Sequence, residues 1–217
     1  FVWRRTQHRV YQGPHGESHW ESSWEYFQRL LPTDSQNDLR FGFSVSVFGE
    51  TIAIGAPGLE IKDSHDVIGS VYIFESEAAT ATNYVGWKQT TKLKPSDGED
   101  SDGYGMAVCL WDDNLLIGSP YHSLQDGDNY FLAAGRVYSF HHSKYGEWSL
   151  IEEIFPKYPV IQGHFGFSLD IYHKLAAIGA YNSAIDGSGK VYLYGEHQTE
   201  EGTFYWDYIT HRQPEKE

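Results

Sequence analysis

Apolar and polar positions alternate with a period of two along most of this chain. Ser44-Val45-Ser46-Val47 alternates, Gly49-Glu50 interrupts it, and Thr51-Ile52-Ala53-Ile54 runs back. A second copy reads Met106-Ala107-Val108-Cys109-Leu110, breaks at Asp112-Asp113-Asn114 and returns as Leu115-Leu116-Ile117. A third reads Phe167-Ser168-Leu169-Asp170-Ile171, breaks near His173-Lys174 and returns as Leu175-Ala176-Ala177-Ile178. Alternation over four to eight residues is the mark of a half-buried strand, and short polar or Gly-containing breaks predict tight hairpins. A third strand is expected at Val71–Phe74, Val137–Phe140 and Val191–Tyr194. A fourth, beginning at a Trp, is expected at Trp24–Leu31, Trp87–Leu93, Trp148–Ile154 and Trp206–Ile209. No segment carries a sustained 3.6-residue apolar stripe, so almost no helix is predicted.

These units repeat in register. Trp24, Trp87, Trp148 and Trp206 each precede a proline by eight residues, at spacings of 63, 61 and 58. Seventeen residues after the first three come Phe41-Gly42, Tyr104-Gly105 and Phe165-Gly166. Thirteen residues after each of those glycines lie Gly55, Gly118 and Gly179, and a Gly-x-Val-Tyr follows from Gly69, Gly135 and Gly189. A period held this closely means one supersecondary unit copied in tandem. Four antiparallel strands per unit, small residues in the first two and aromatics in the outer two, read as a blade of an all-β propeller. The terminal Pro suits an outer edge strand. The blades are expected at 42–93, 105–154 and 166–211, all in one propeller domain. Residues 1–31 would supply the last two strands of a preceding blade, with Arg9-Val10-Tyr11 as its third strand. About three and a half blades are thus predicted, fewer than closure needs. The remainder would come from more of the same polypeptide or from another chain. The opening Phe1-Val2-Trp3, without initiator Met or signal peptide, fits a portion of a longer protein.

Phe-Gly at a strand start, Gly-Ala-Pro thirteen residues on, then Gly-x-Val-Tyr and a Trp strand, resembles the FG-GAP repeat. That repeat builds the seven-bladed propeller of integrin alpha subunits and of many surface proteins, and the resemblance runs from Trp24 to Trp206. It is closest to a short-hairpin variant with a Trp before the Phe-Gly. The resemblance implies an extracellular or cell-surface location and a ligand-binding rim opposite the hairpin turns. In integrins the first hairpin carries an Asp-x-Asp-x-Asp-Gly calcium loop. The turns around Gly49, Asp113 and His173 lack that pattern and that length, so no calcium is expected in them.

Composition narrows the function. The net charge of −14 and pI near 5.1 argue against nucleic acid, which requires clustered Lys and Arg. No run of 18 apolar residues marks a membrane span. The single Cys109 lies among apolar neighbours and reads as a buried, inert thiol. Eleven histidines, among them His15, His19, His141 and His142, show no metal-ligand spacing. Ser44 and Ser168 sit in a strand alternation, not in a nucleophile elbow.

Carboxylates gather in two sets of loops expected on one rim. One set holds Asp34, Asp38, Asp97, Asp100 and Asp102; the other holds Asp63, Asp66, Asp126, Asp128 and Asp186. The loops of the second set also vary most in length, with 10 to 17 residues separating their flanking glycines. They read as Asp/Gly turns of a solvated surface, as a surface for a basic partner, or as a weak cation site with calcium near Asp97, Asp100 and Asp102 or near Asp126 and Asp128. Trp87, Trp148 and Trp206 are expected to be largely buried between blades, and Gly42, Gly105 and Gly166 to exclude a side chain. No catalytic constellation stands out, so the expected function is a non-enzymatic propeller that mediates adhesion or assembly with a protein partner. A structural subunit of a polymer or filament is the alternative, and a non-catalytic propeller of a larger enzyme a weaker one.

Overall fold

The computed structural model describes residues 1–12, 17–34, 40–58, 68–76, 86–97, 101–183, 187–200 and 202–212. Among them there are sixteen strands and no helix. A long hairpin comes first, β1 (Val2–Gln12) with β2 (Glu17–Gln28). The first four-stranded sheet is β3 (Ser44–Phe48), β4 (Thr51–Ala56), β5 (Ser70–Ser76) and β6 (Trp87–Leu93). The second is β7 (Ala107–Trp111), β8 (Asn114–Ser119), β11 (Arg136–His142) and β12 (Trp148–Ile154), with the small hairpin β9 (Leu124–Asp126) and β10 (Asn129–Phe131) inserted before β11. The third is β13 (Phe165–Tyr172), β14 (Leu175–Ala180), β15 (Lys190–Gln198) and β16 (Phe204–Arg212). Each sheet is an antiparallel meander, as the alternation predicts.

The first hairpin of every sheet closes through two residues, since Phe48 faces Thr51, Trp111 faces Asn114 and Tyr172 faces Leu175. Gly49, Asp112 and His173 take φ of 55°, 52° and 53° there, the left-handed geometry that two-residue hairpins demand. Such turns are too short to wrap a calcium ion.

Register makes the repeat visible in three dimensions. Trp24, Trp87, Trp148 and Trp206 pair with Arg5, Ser76, His142 and Glu196. The ladder slips at the same place each time, between Val2/Trp3, Ile73/Phe74, Ser139/Phe140 and Leu193/Tyr194. This corrects the expectation at the N-terminus. The third-strand counterpart is the stretch around Val2–Arg5, and Arg9-Val10-Tyr11 lies beyond it. Residues 17–23, ahead of the expected Trp24 strand, are strand as well, because polar residues such as Thr6, Ser22 and Ser23 pair across the hairpin. A second correction is the β9–β10 hairpin, where a loop was expected.

The core is divided among the seams. Ala53, Val71 and Ile73 of the first sheet meet Val108, Leu110 and Ile117 of the second. Cys109, Leu116 and Val137 on the opposite side of the second sheet meet Phe165, Ile171, Ile178 and Trp206 of the third. Leu30 and Val2 of the N-terminal unit cover Ile52, Ile54 and Phe74. Each complete sheet therefore presents its larger apolar residues forward to the preceding unit and mostly smaller ones backward, so successive sheets interlock.

Candidate functional site

The aromatic-Gly pairs are the joints between sheets. Phe41, Tyr104 and Phe165 set their rings edge-on to Tyr72, Tyr138 and Tyr192 of their own sheets, with centroids 5.4, 4.9 and 5.2 Å apart. The glycines that follow them, Gly42, Gly105 and Gly166, share φ of 89°, 89° and 88°. A Cβ on Gly55 would lie 2.0 Å from the carbonyl oxygen of Gly105, and one on Gly118 2.0 Å from that of Gly166. The backbone of each following sheet thus sits directly on a bare Cα of the one before. Ser44 Oγ donates to the Gly105 carbonyl at 2.8 Å, and Ser46 Oγ accepts from Leu110 N at 2.9 Å, so the strand serines bind the next sheet. Cys109 replaces Ser46 in the second sheet, and burial pushes its thiol up to about 11, which leaves it unreactive at neutral pH.

The Trp residues lie at the front of their sheets, with unequal burial. Trp206 is buried, and its Nε1 donates to Ser139 Oγ of the second sheet at 2.9 Å. Its backbone N–H donates to the Glu152 carboxylate of that sheet. Gln28 forms the corresponding contact from the N-terminal hairpin, donating to Trp87 O at 2.9 Å and accepting from Trp87 N at 2.8 Å. Trp87 and Trp148 are half-buried, and Trp148 stacks on His142 at 4.7 Å. Trp24 is exposed.

The rim carboxylates have separate partners. Asp97 receives two hydrogen bonds from Arg136, at 2.9 and 3.3 Å, and Glu153 receives a third at 2.7 Å. The Arg136 side chain is buried, its guanidinium 4.4 Å from the Tyr138 ring centroid. Its hydrogen bond to the charged form holds the Asp97 carboxyl below the usual carboxylate range. Asp102 hydrogen-bonds His122 Nδ1 at 2.9 Å, and its carbonyl accepts from Ser119 Oγ at 3.1 Å. One repeat earlier, Lys92 bonds Asp34 and lies 4.9 Å from the Tyr72 ring centroid. One repeat later, Tyr158 takes the Asp place, and Tyr192 OH donates to its carbonyl at 3.4 Å. The linker residue ten positions after Trp24, Trp87 and Trp148 therefore clamps the next sheet, and only the chemistry of the clamp changes.

The structure does not bring the weak calcium candidates together. Asp97 and Asp102 are committed to Arg136 and His122, and Asp126 and Asp128 flank Gly127 in the exposed turn of the β9–β10 hairpin. Asp100 lies outside the described residues, as do Asp38, Asp63, Asp66, Asp186 and His15. Among the described residues no three His, Cys, Asp or Glu are placed to hold a metal ion. His19 bonds Glu21 at 2.8 Å, and His141 bonds Asn114 at 3.2 Å.

Sequence reading missed the surfaces at which seams remain open. Val71, Val137 and Val191 are one position in three copies: the first two are 0% exposed and the third 44%. Around Val191 lies a groove of about 540 Å³ whose walls include Phe167, Gly179, Tyr181 and Arg212. At the other end of the array, Val45 and Val47 are exposed, whereas their counterparts Val108 and Leu110 are buried. The signal was present in the sequence as repeated valines, but it marks a seam only once the neighbours are known.

Residues 24–74 and 87–140 match the family model described as the FG-GAP repeat, which covers the joints and seams of the first two sheets. Those two segments carry FG-GAP repeats. The third sheet keeps the same joint, register and bulge as the two matched FG-GAP segments. No curated protein matches the chain. Among solved structures, Sqt1 from Chaetomium thermophilum is similar at 12% identity and a TM-score of 0.45, over 82% of this chain and 38% of that one. No helix of the FG-GAP chain, among the described residues, is long and apolar enough to cross a membrane.

Proposed function

We propose that this chain is a non-enzymatic β-propeller module, three and a half blades of a seven-bladed ring, that mediates adhesion or protein–protein assembly outside the cell or at its surface. The observation that carries the reading is Val191. It is the same residue that fills two complete seams, presented to solvent at the back of the last sheet beside a bare Gly179. An apolar face built to interlock is an interaction surface. The Asp97–Arg136 and Asp102–His122 pairs supply rim rigidity. The back of the last sheet and the front of the first are unlike surfaces, which favours, as a second reading, a head-to-tail structural subunit of a polymer.

Sedimentation of the intact chain over a concentration series, with and without Val191→Asp, tests this. Association that the substitution weakens at least tenfold is the expected result. A chain that stays monomeric and binds no hydrophobic dye at that face would overturn it.

A further inference from the structure

Among the described residues, the β1–β2 hairpin runs further than its counterparts. The Arg5–Trp24 pair holds the register of Ser76–Trp87 and His142–Trp148, where the ladders of β5–β6 and β11–β12 stop. β15–β16 passes that register by two pairs. β1–β2 passes it by seven, from Thr6–Ser23 to Gln12–Glu17. At about 3.3 Å per residue the extra ribbon extends about 23 Å beyond the register of the sheets. Its root is held through Val2 and Leu30, and none of the apolar clusters at the seams includes a residue of the extension.

Directly paired residues of an antiparallel ladder share a face, and successive pairs alternate between faces. Arg4–Glu25, Thr6–Ser23 and His8–Glu21 therefore lie on one side of the ribbon. That side bonds to itself. Thr6 Oγ1 and His8 Nε2 stand 3.2 and 3.0 Å from Ser23 Oγ, and His8 Nε2 is 3.3 Å from the Glu25 carboxylate. The other side holds Arg5–Trp24, Gln7–Ser22 and Arg9–Trp20, with Arg5 donating to Ser22 Oγ at 2.9 Å. All six are exposed, Trp20 to 66%. Trp24 stands at the register where the third sheet buries Trp206 and belongs to the seam pattern. Trp20 lies four residues beyond it. Among the described side chains this side carries two Arg and no carboxylate, in a chain of net charge −14.

We propose that the Trp20 side of this ribbon binds an acidic glycan, a polysaccharide whose sugar rings carry carboxylates. The apolar CH face of a sugar ring stacks on the exposed indole, a large rigid surface that loses little entropy on binding. Gln7 and Ser22, one pair along the ribbon, bond the ring hydroxyls. Arg9, directly across from Trp20, and Arg5 further along take the carboxylates, which guanidinium groups bind in a planar, bidentate way. The make-up of this side favours a sugar over a protein segment. One large apolar ring set among hydrogen-bonding side chains suits a ligand with a small apolar face and many hydroxyls, whereas a stable protein interface buries about 800 Å² on each partner around an apolar core. The site goes beyond the assembly reading and is separate from Val191, which lies on the last sheet.

The test titrates the intact chain with oligogalacturonate, followed by Trp fluorescence and calorimetry. The expected result is saturable binding that weakens as salt is added. The methyl-esterified form of the same oligomer, which keeps the sugar and loses the charge, should bind at least tenfold more weakly. Trp20→Ala and Arg9→Gln, both at exposed positions and so compatible with folding, should each weaken binding at least tenfold. Glu21→Gln on the opposite side of the ribbon and Val191→Asp on the last sheet should leave it unchanged, so this site and the assembly face succeed or fail separately. No saturable binding at millimolar oligomer, or equal binding by the Trp20 variant, would overturn the proposal. So would polyglutamate binding as tightly as the sugar acid, which would assign the surface to an acidic protein segment.

Discussion

β3 and β7 hold the same place in their sheets and carry the same alternation, yet one shows its apolar row to solvent and the other is sealed. Val108 and Leu110 of β7 lie under the inner strands of the first sheet; among the described residues, Val45 and Val47 of β3 have only the N-terminal hairpin in front of them. The difference is not in local propensity, because both strands form and both close through the same two-residue turn. Burial in an array of sheets belongs to the pair of neighbours, so one residue type at one register position has different energetic weight from copy to copy.

The strongest way to break that comparison is at the Trp position. Trp206→Ala should cost about 3–5 kcal/mol, because a buried ring and its bond to Ser139 are lost. Trp24→Ala, at the same register but exposed, should cost no more than about 0.5 kcal/mol. Urea unfolding of the two variants decides it, and equal losses would mean that the front of the N-terminal hairpin is sealed after all.

A smaller effect is expected at the joints. Gly118→Ala should destabilise by about 1–3 kcal/mol, since its Cβ would collide with the backbone oxygen of Gly166 and neither backbone can yield. Gly42→Ala meets open space and only the cost of a left-handed φ, about 1 kcal/mol. Thermal unfolding that reverses this order would show that backbone strain, not inter-sheet contact, governs these glycines.

The smallest effect concerns the rim. Asp97 titrates below its ordinary value of 3.8 because Arg136 bonds its charged form. A folded-state pKa lying below the unfolded one stabilises fully above the unfolded value and is lost as pH falls through the folded one. Asp97 is 57% exposed, so solvent screening limits the contribution to a few tenths of a kcal/mol. Asp97→Asn should lower stability by that amount at neutral pH, with the difference shrinking as the pH is lowered through the folded-state value, in urea titrations at neutral and acid pH.

Much of this was legible in the sequence. The period-two runs gave the strands, and the polar breaks at Gly49-Glu50, at Asp112-Asp113-Asn114 and near His173-Lys174 gave the hairpins. The shared distance from Trp to the aromatic-Gly step gave the joints. Each is a local rule, enforced by backbone geometry over a few residues. The N-terminal hairpin was harder to read because Gln7, His8, Ser22 and Ser23 are polar, and cross-strand pairing among polar residues leaves no periodic apolar trace. Arg136 was hidden as the variable residue of a Gly-x-Val-Tyr step. Its role comes from Asp97, 39 residues earlier, and Glu153, 17 residues later.

By itself, then, the sequence determined the repeat unit, its antiparallel hairpins and the glycine joints, because those depend on φ, side-chain alternation and close backbone approach within one copy. Only the tertiary structure decided which of those residues are buried, which carboxylates are spent on Arg136 and His122, and which faces remain open. Burial, ion pairing and interlocking are properties of two surfaces in contact, and one copy of a repeat does not encode whether another lies beside it.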